Sequence, residues 1–324
     1  MPKKILILRF SSIGDIVLTT PVIRCLKNQL EHAEIHYATK KQYASILSAN
    51  PYIHKVHVLD DSLIGLVKQL RQEKFDFIVD LHHNLRTLLI KQLLAVPAKS
   101  FNKLNIEKWL FVNFKINKLP PVHIVDRYIK TVETLGVKND GLGLDYFIPP
   151  GEVIPVSSLP LNFRSGYVCV VAGAMHNTKK LTLQKINELI QKIKLPVVII
   201  GGKDDYPNTE SSEHVYNACG KYTINESASI IQQAEKVYTH DTGMMHIAAA
   251  MQKDIVSIWG NTVPEFGMYP YYGNQITLHM LRERNQIIEI CGLPCRPCSK
   301  IGYERCPKGH FKCIVSIDFD KYAV

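Results

Sequence analysis

The chain has 324 residues, 46% hydrophobic and 21% charged, a balance that excludes disordered and fibrous classes and allows two cores of about 150 residues each. No apolar run reaches the roughly 18 residues of a membrane span, and Met-Pro-Lys-Lys leads into a strand pattern rather than a secretory signal, so the cytoplasm is the expected location. Net charge is +10, carried mostly by residues 1–157 with 21 Lys and Arg against 14 Asp and Glu, which points either to an anionic partner or to a solvated basic face.

In chain order, KILILRF reads as a buried strand and is followed by the turn SSIGD. A phosphate-binding turn presents backbone N–H groups and no competing anion, so Asp15 either caps a helix there or does chemistry on something other than phosphate. Helical spacing from Pro21 to Leu30 is followed by AEIHYAT, a helix near Tyr43 to Leu47, KVHVLD, a helix near Leu63 to Glu73, and FDFIVDL. This alternation predicts βαβ units on a parallel sheet. From Leu85 to Phe114 the chain interleaves Leu, Ile, Phe and Trp109 with Lys and Arg, which suits either a helix lying on an anionic membrane surface or packed core with ordinary lysines. The Pro-rich stretch Pro149 to Pro160 reads as a linker, after which YVCVVAGA, a helix near Leu183 to Ile193, PVVIIGG, KVYTHD, a helix near Met244 to Met251 and IVSIWG repeat the rhythm. The predicted fold is α/β: two Rossmann-like doubly wound domains, residues 1–157 and 158–324, facing each other across a cleft.

Three strand-end loops of the second half can converge on one nucleotide, because ligands of open α/β sheets bind at the carboxyl ends of strands. In VYTHDTGMMHIAAAM, Thr242 and Gly243 open a helix whose N–H groups can meet a diphosphate, Asp241 can bind a sugar or ribose hydroxyl, and His246 lies about one turn in. The alternative is that Asp241 or Thr242 merely caps the helix and His246 packs internally. Lys179 or Lys180 in GAMHNTKK can neutralise phosphate, and Asp204 in IIGGKDD can accept from a ribose hydroxyl. In the tail, Cys295-x2-Cys298-x7-Cys306-x6-Cys313 offers four thiols for a structural zinc, with metal-free thiols or disulfides as alternatives.

Together RFSSIGDIVLTTPVI, GAMHNTKK, IIGGKDD and HDTGMMHIAAAMQKDIVSIWGNT resemble the ADP-heptose lipopolysaccharide heptosyltransferases, glycosyltransferase family 9. The resemblance implies a GT-B architecture, with the acceptor bound by the first domain and the sugar donor mainly by the second, and inverting transfer of heptose from ADP-heptose to the lipopolysaccharide inner core. It implies that Asp15 is the general base, that Asp241, Thr242, Gly243 and His246 contact donor sugar and diphosphate, that Lys179 approaches the phosphates, and that Asp204 meets the ribose. Arg9, Ser11 and Ser12 are expected beside Asp15, and Arg86 and the basic segment beyond it are expected to face an acceptor bearing acidic sugars and lipid phosphates. No paired-acid DxD motif is read, so transfer is expected to need no metal cofactor. The expected partners are ADP-heptose, the lipopolysaccharide core and the anionic inner-membrane surface, to which the enzyme would be peripheral on the cytoplasmic face. Nucleic acid is not expected, for want of a stacking platform or binding module. A GT-B transferase or epimerase using a different nucleotide sugar is the competing reading.

Overall fold

The computed structural model describes residues 3–207, 211–273 and 283–321. They divide into two compact units, one of residues 3–103, 122–149 and 273, the other of residues 104–121, 150–207, 211–272 and 283–321. Segment 104–121 thus belongs to the second unit, where the Phe111 ring meets Phe266 with centroids 6.0 Å apart and Lys115 Nζ donates to the carbonyl of Pro297 at 2.7 Å.

The first unit is built on strands β1 (Lys4–Leu8), β2 (Glu34–Lys40), β3 (Lys55–Leu59), β4 (Phe77–Asp80) and β5 (Ala98–Ser100), all parallel, in the order β3-β2-β1-β4-β5. Helices α1 (Ile13–Val17), α2 (Thr20–Gln29), α3 (Leu63–Glu73), α4 (Leu85–Leu94) and α6 (Ile124–Ile129) accompany them. The run of Ile and Leu in β1 is buried throughout, as a central parallel strand covered on both faces requires. A 3-10 helix over Lys41–Leu47 occupies the place of the short helix expected near Tyr43. Because the chain leaves β1 toward β2 and β3 on one side and returns through β4 and β5 on the other, the carboxyl ends of β1 and β4 form the switch point where such sheets take ligands.

The second unit holds α5 (Asn105–Phe114) and strands β6 (Val168–Val171), β7 (Val197–Ile200), β8 (Val215–Asn217), β9 (Lys236–His240), β10 (Asp254–Trp259) and β11 (Asn285–Glu289). These are again parallel, in the order β11-β10-β9-β6-β7-β8, with α7 (Leu183–Lys192), α8 (Ile224–Gln233) and α9 (Gly243–Ala250) between them. The switch point here lies between β6 and β9, so the loops after Val171 and His240 share one edge. A last helix, α10 (Lys312–Val315), contributes Cys313 and Ile314 to the core formed with Val170, Tyr238 and Ile258. The two Rossmann-like units expected from the alternation are present. Among the described residues no helix is long and apolar enough to cross a membrane.

Candidate functional site

At the switch point of the first unit, Asp15 sits in the first turn of α1 and is 19% exposed at its side chain. Its Oδ2 accepts from the Ser12 backbone N–H at 3.1 Å and from Ser12 Oγ at 2.8 Å, while Oδ1 pairs with Arg9 Nη2 at 2.6 Å. Burial works against ionisation, but the Arg9 guanidinium and the Ser12 bonds outweigh it and hold the Asp15 carboxyl below its ordinary range. Asp15 therefore caps its helix and is also a fixed, fully ionised carboxylate.

Arg9 is buried and directs its donors inward: Nε to the Ser11 carbonyl at 2.7 Å, and Nη1 to the Leu81 carbonyl at 2.5 Å and Tyr128 Oη at 3.1 Å. It is a holder of Asp15. Ser11 is half-buried and Ser12 exposed. Arg86 lies 5.7 Å from the Phe10 ring centroid and, with Lys40, Lys41, Asp60 and Asp61, lines an open depression of about 610 Å³ at the ends of β2 and β3.

The end of β4 contributes two groups not singled out from the sequence. Asp80 is fully buried; Oδ1 accepts from the N–H groups of His82 (3.1 Å) and His83 (2.7 Å), and Oδ2 pairs with Lys91 Nζ at 2.8 Å. Lys91 is thereby spent inside the unit. His82 Nδ1 accepts from the Phe10 N–H at 3.3 Å, so its proton sits on Nε2. Burial, with Arg9 and Lys103 nearby, pushes His82 down to about 4, which leaves it a neutral donor close to Asp15.

At the second switch point Lys179 Nζ reaches Asp241 Oδ2 at 2.6 Å, and Thr262 Oγ1 donates to the same oxygen at 2.8 Å. Thr242 is the N-cap of α9 but its side chain makes no capping bond to the helix, and Gly243 is the first helical residue. His246 is buried, 2% exposed, in the second turn. His240, at the end of β9, accepts at Nε2 from the Leu181 N–H (2.7 Å); burial and Lys180 push it down to about 4, so it stays neutral and pins loop 177–181 to the sheet. Asp204 is exposed. Its neighbour Asp205 turns inward instead, with Oδ1 on Lys180 Nζ at 2.6 Å and Oδ2 on the Gly202 N–H at 2.7 Å. Lys179, Asp241, Thr242 and Gly243 thus gather at one sheet edge.

All eight cysteines are free thiols. Cys295, Cys298, Cys306 and Cys313 line one cavity of about 10 Å³, with Thr178, Asn261 and His310 also on its wall. Cys295 Sγ lies 3.7 Å from His310 Nε2. Burial, reinforced by the neighbouring thiols, pushes the Cys298 and Cys313 thiols up. Among the described residues, the groups whose ligand atoms already lie within 4.8 Å of one another are Glu34, His36 and His54, and His36, His57 and Glu73. Lys4 pairs with Glu34 at 3.4 Å and Lys55 with Glu73 at 2.6 Å, so those carboxylates are already neutralised. One D-x-D spacing, overlooked in the sequence, does occur at Asp318 and Asp320; Asp320 pairs with Lys192 at the end of α7.

The apolar and basic stretch is exposed only in part, for Ile90 and Phe101 are buried. In α5 no residue is buried, and Ile106, Trp109 and Phe114 are 73%, 55% and 58% exposed; in α4 Leu85 is 85% exposed.

Residues 63–290 match the sequence profile of glycosyltransferase family 9 (heptosyltransferase). Lipopolysaccharide heptosyltransferase 3 of Escherichia coli is 22% identical over 275 residues, covering 77% of this chain and 80% of that protein. The structure of the Escherichia coli ADP-heptose lipopolysaccharide heptosyltransferase II superposes with a TM-score of 0.68 at 18% identity, covering 97% of this chain and 98% of that one. A second Escherichia coli heptosyltransferase, solved with ADP-2-deoxy-2-fluoro heptose, gives 0.66 at 18% identity, covering 92% and 96%. The architecture of both units is that of the GT-B heptosyltransferases.

Proposed function

The chain belongs to glycosyltransferase family 9, and from that premise we propose that it moves a heptosyl residue from ADP-heptose to an acidic sugar of the lipopolysaccharide inner core, with inversion and with Asp15 as the general base. The observation that carries the reading is the cluster of Lys179 and Thr262 on Asp241 at the mouth of α9. A diphosphate entering there meets the N–H groups of the first helical turn and a lysine poised to exchange its carboxylate partner for phosphate. Asp241 is then released toward a sugar hydroxyl.

In the proposed reaction the acceptor oxygen forms a bond to the anomeric carbon as the bond to the diphosphate oxygen breaks. The bonding pair leaves with ADP, and the acceptor proton passes to Asp15. A carboxylate held below its ordinary range is a weak base, yet it suffices here, because the attacking hydroxyl becomes acidic only as its bond to an oxocarbenium-like carbon forms. Charge growing on ADP is met by Lys179 and the helix N–H groups, which supply the electrostatic stabilisation without a metal. Asp204 and His246 remain the proposed ribose and sugar contacts. In the first unit, Ser11, Ser12 and Arg86, with Lys40 beside Arg86, are the proposed acceptor groups; Lys41 is paired with Asp60 at 3.1 Å in the same depression, which leaves Arg86 and Lys40 to meet acidic sugars and phosphates. Arg9 serves by fixing Asp15.

The exposed apolar residues Ile106, Trp109 and Phe114 of α5, with Lys108 on the same helix, favour peripheral attachment to the anionic cytoplasmic face of the inner membrane. The four tail thiols line one cavity beside the buried Asn261 amide, but no three of their sulfur atoms lie within 4.8 Å of one another, whereas a tetrahedral site with Zn–S bonds of about 2.3 Å sets its sulfurs about 3.8 Å apart, so metal-free thiols are the reading this arrangement favours over a structural zinc.

Calorimetry with ADP-heptose, UDP-sugars and GDP-sugars, followed by mass spectrometry of the product formed on truncated lipid acceptors, tests the proposal. Binding of ADP-heptose and a heptose-sized mass increase are expected; preferential binding of a UDP-sugar would overturn it.

A further inference from the structure

The amino end of β2 carries a cluster of histidine and glutamate that the transfer reaction leaves unused. Glu34 and His36 stand two residues apart on this strand, so their side chains share one face of the sheet. His54 is drawn alongside by its backbone: its N–H donates at 2.8 Å to the carbonyl of Ile35, the residue between them, and its ring centroid lies 5.2 Å from that of His36. One ligand atom from each of the three lies within 4.8 Å of the other two, and His36 Nε2 is 3.9 Å from Glu34 Oε2. A tetrahedral ion with bonds of about 2.0–2.1 Å sets its ligands about 3.3 Å apart, so small turns of the outer side chains close the set. His36 is fully buried, and its Nε2 has no hydrogen-bond partner among the described residues, although Nδ1 lies 2.9 Å from His57 Nε2. An orphaned buried nitrogen costs stability unless something binds it. His54 is exposed and the Glu34 side chain is 41% exposed, which opens a path from solvent to that nitrogen.

We propose that Glu34, His36 and His54 form a structural site for a divalent first-row ion such as zinc, with water completing the coordination. Two imidazoles and a carboxylate are donors that such ions take. With the ion on Nε2, the proton of the His36 ring sits on Nδ1, where His57 Nε2 accepts it, the outer-shell bond that orients a ligating histidine. Lys4 is no obstacle: it meets Glu34 at 3.4 Å and Glu73 at 3.8 Å with a side chain 34% exposed, so it can keep Glu73 while Glu34 turns to the ion, and a loose exposed pair of this kind contributes little. The neighbouring group of His36, His57 and Glu73 is less available, because Glu73 is held by Lys55 at 2.6 Å and His57 Nε2 is engaged by His36. The ion clips the start of β2 to the turn before β3, the edge strand. It takes no part in transfer, since Asp15 follows the opposite, carboxyl end of the parallel strand β1.

The test loads the full-length protein with zinc, removes excess by gel filtration and measures the zinc retained by wild type, His54→Ala and Glu34→Gln. Thiols elsewhere in the chain also take zinc, so the readout is a difference: each variant is expected to hold one equivalent fewer than wild type. Both substitutions fall on side chains open to solvent, so the fold is retained, which circular dichroism checks. Hydrogen exchange locates the ion. The amides of residues 34 and 54, which donate to the Lys3 and Ile35 carbonyls, are expected to exchange about 10-fold more slowly in wild type at free zinc of about ten times its Kd, and to ignore zinc in His54→Ala. Equal zinc in all three proteins, or exchange at both positions that zinc leaves unchanged in wild type, overturns the site. So does an equivalent lost in Glu73→Gln but kept in His54→Ala, which would put the ion among His36, His57 and Glu73.

Discussion

Asp15→Asn removes the charge of the proposed base and keeps part of its structural role. The asparagine Oδ1 can still accept the Ser12 N–H, so the turn before α1 is retained, but the 2.6 Å ion pair with Arg9 is lost. General-base catalysis contributes about 10²–10⁴ in rate, so kcat is expected to fall by that factor, equivalent to about 2.7–5.4 kcal/mol of transition-state stabilisation. Removing one partner of a buried ion pair costs about 3–5 kcal/mol. The lower end applies here, because Arg9 keeps its bonds to Ser11, Leu81 and Tyr128. At roughly 2–4 °C per kcal/mol, a loss of about 3 kcal/mol lowers Tm by about 6–12 °C. Turnover at saturating donor and acceptor, differential scanning fluorimetry and ADP calorimetry below the transition measure the three quantities separately. ADP affinity is expected to be unchanged, since the proposed diphosphate groups belong to the other unit. A folded variant with kcat within about twofold of wild type would refute the assignment of Asp15 as base.

Arg9→Met leaves burial unopposed by the guanidinium, so the Asp15 carboxyl rises and the acid limb of the pH profile of kcat/KM moves to higher pH; an unmoved limb would show that Arg9 does not set the base. Asp80→Asn strands Lys91 without its fully buried partner and is expected to cost about 3–5 kcal/mol in urea unfolding. Despite burial, Lys91 and the His83 N–H hold the Asp80 carboxyl low. Its stabilisation is therefore complete above the ordinary aspartate range and is lost as pH falls through the lowered folded value, so acid titration of wild type and variant should converge at low pH. Trp109 is 55% exposed and the other tryptophan, Trp259, is 1% exposed, so a blue shift of fluorescence on adding phosphatidylglycerol vesicles, reversed by salt, is expected from Trp109; an unchanged spectrum would remove the membrane reading.

Local spacing was enough to fix the alternation of buried strands and amphipathic helices, and with it two parallel sheets. It also placed SSIGD and HDTG directly after strands, which marked Asp15 and Asp241 as strand-end groups. The same local code could not tell whether the stretch around Trp109 is core or surface, because an apolar face interleaved with lysines suits both. Nor could it find the partners that define the site. Arg9 meets Tyr128 across 119 positions, Lys179 meets Asp241 across 62, and Thr178 meets Tyr303 across 125. Those pairings depend on strand order, which places β4 beside β1 and β9 beside β6. Periodicity records only which face of each element is apolar; which elements become neighbours is decided when whole sheets assemble, and it is that assembly which brings charged groups from distant strand ends within bonding distance.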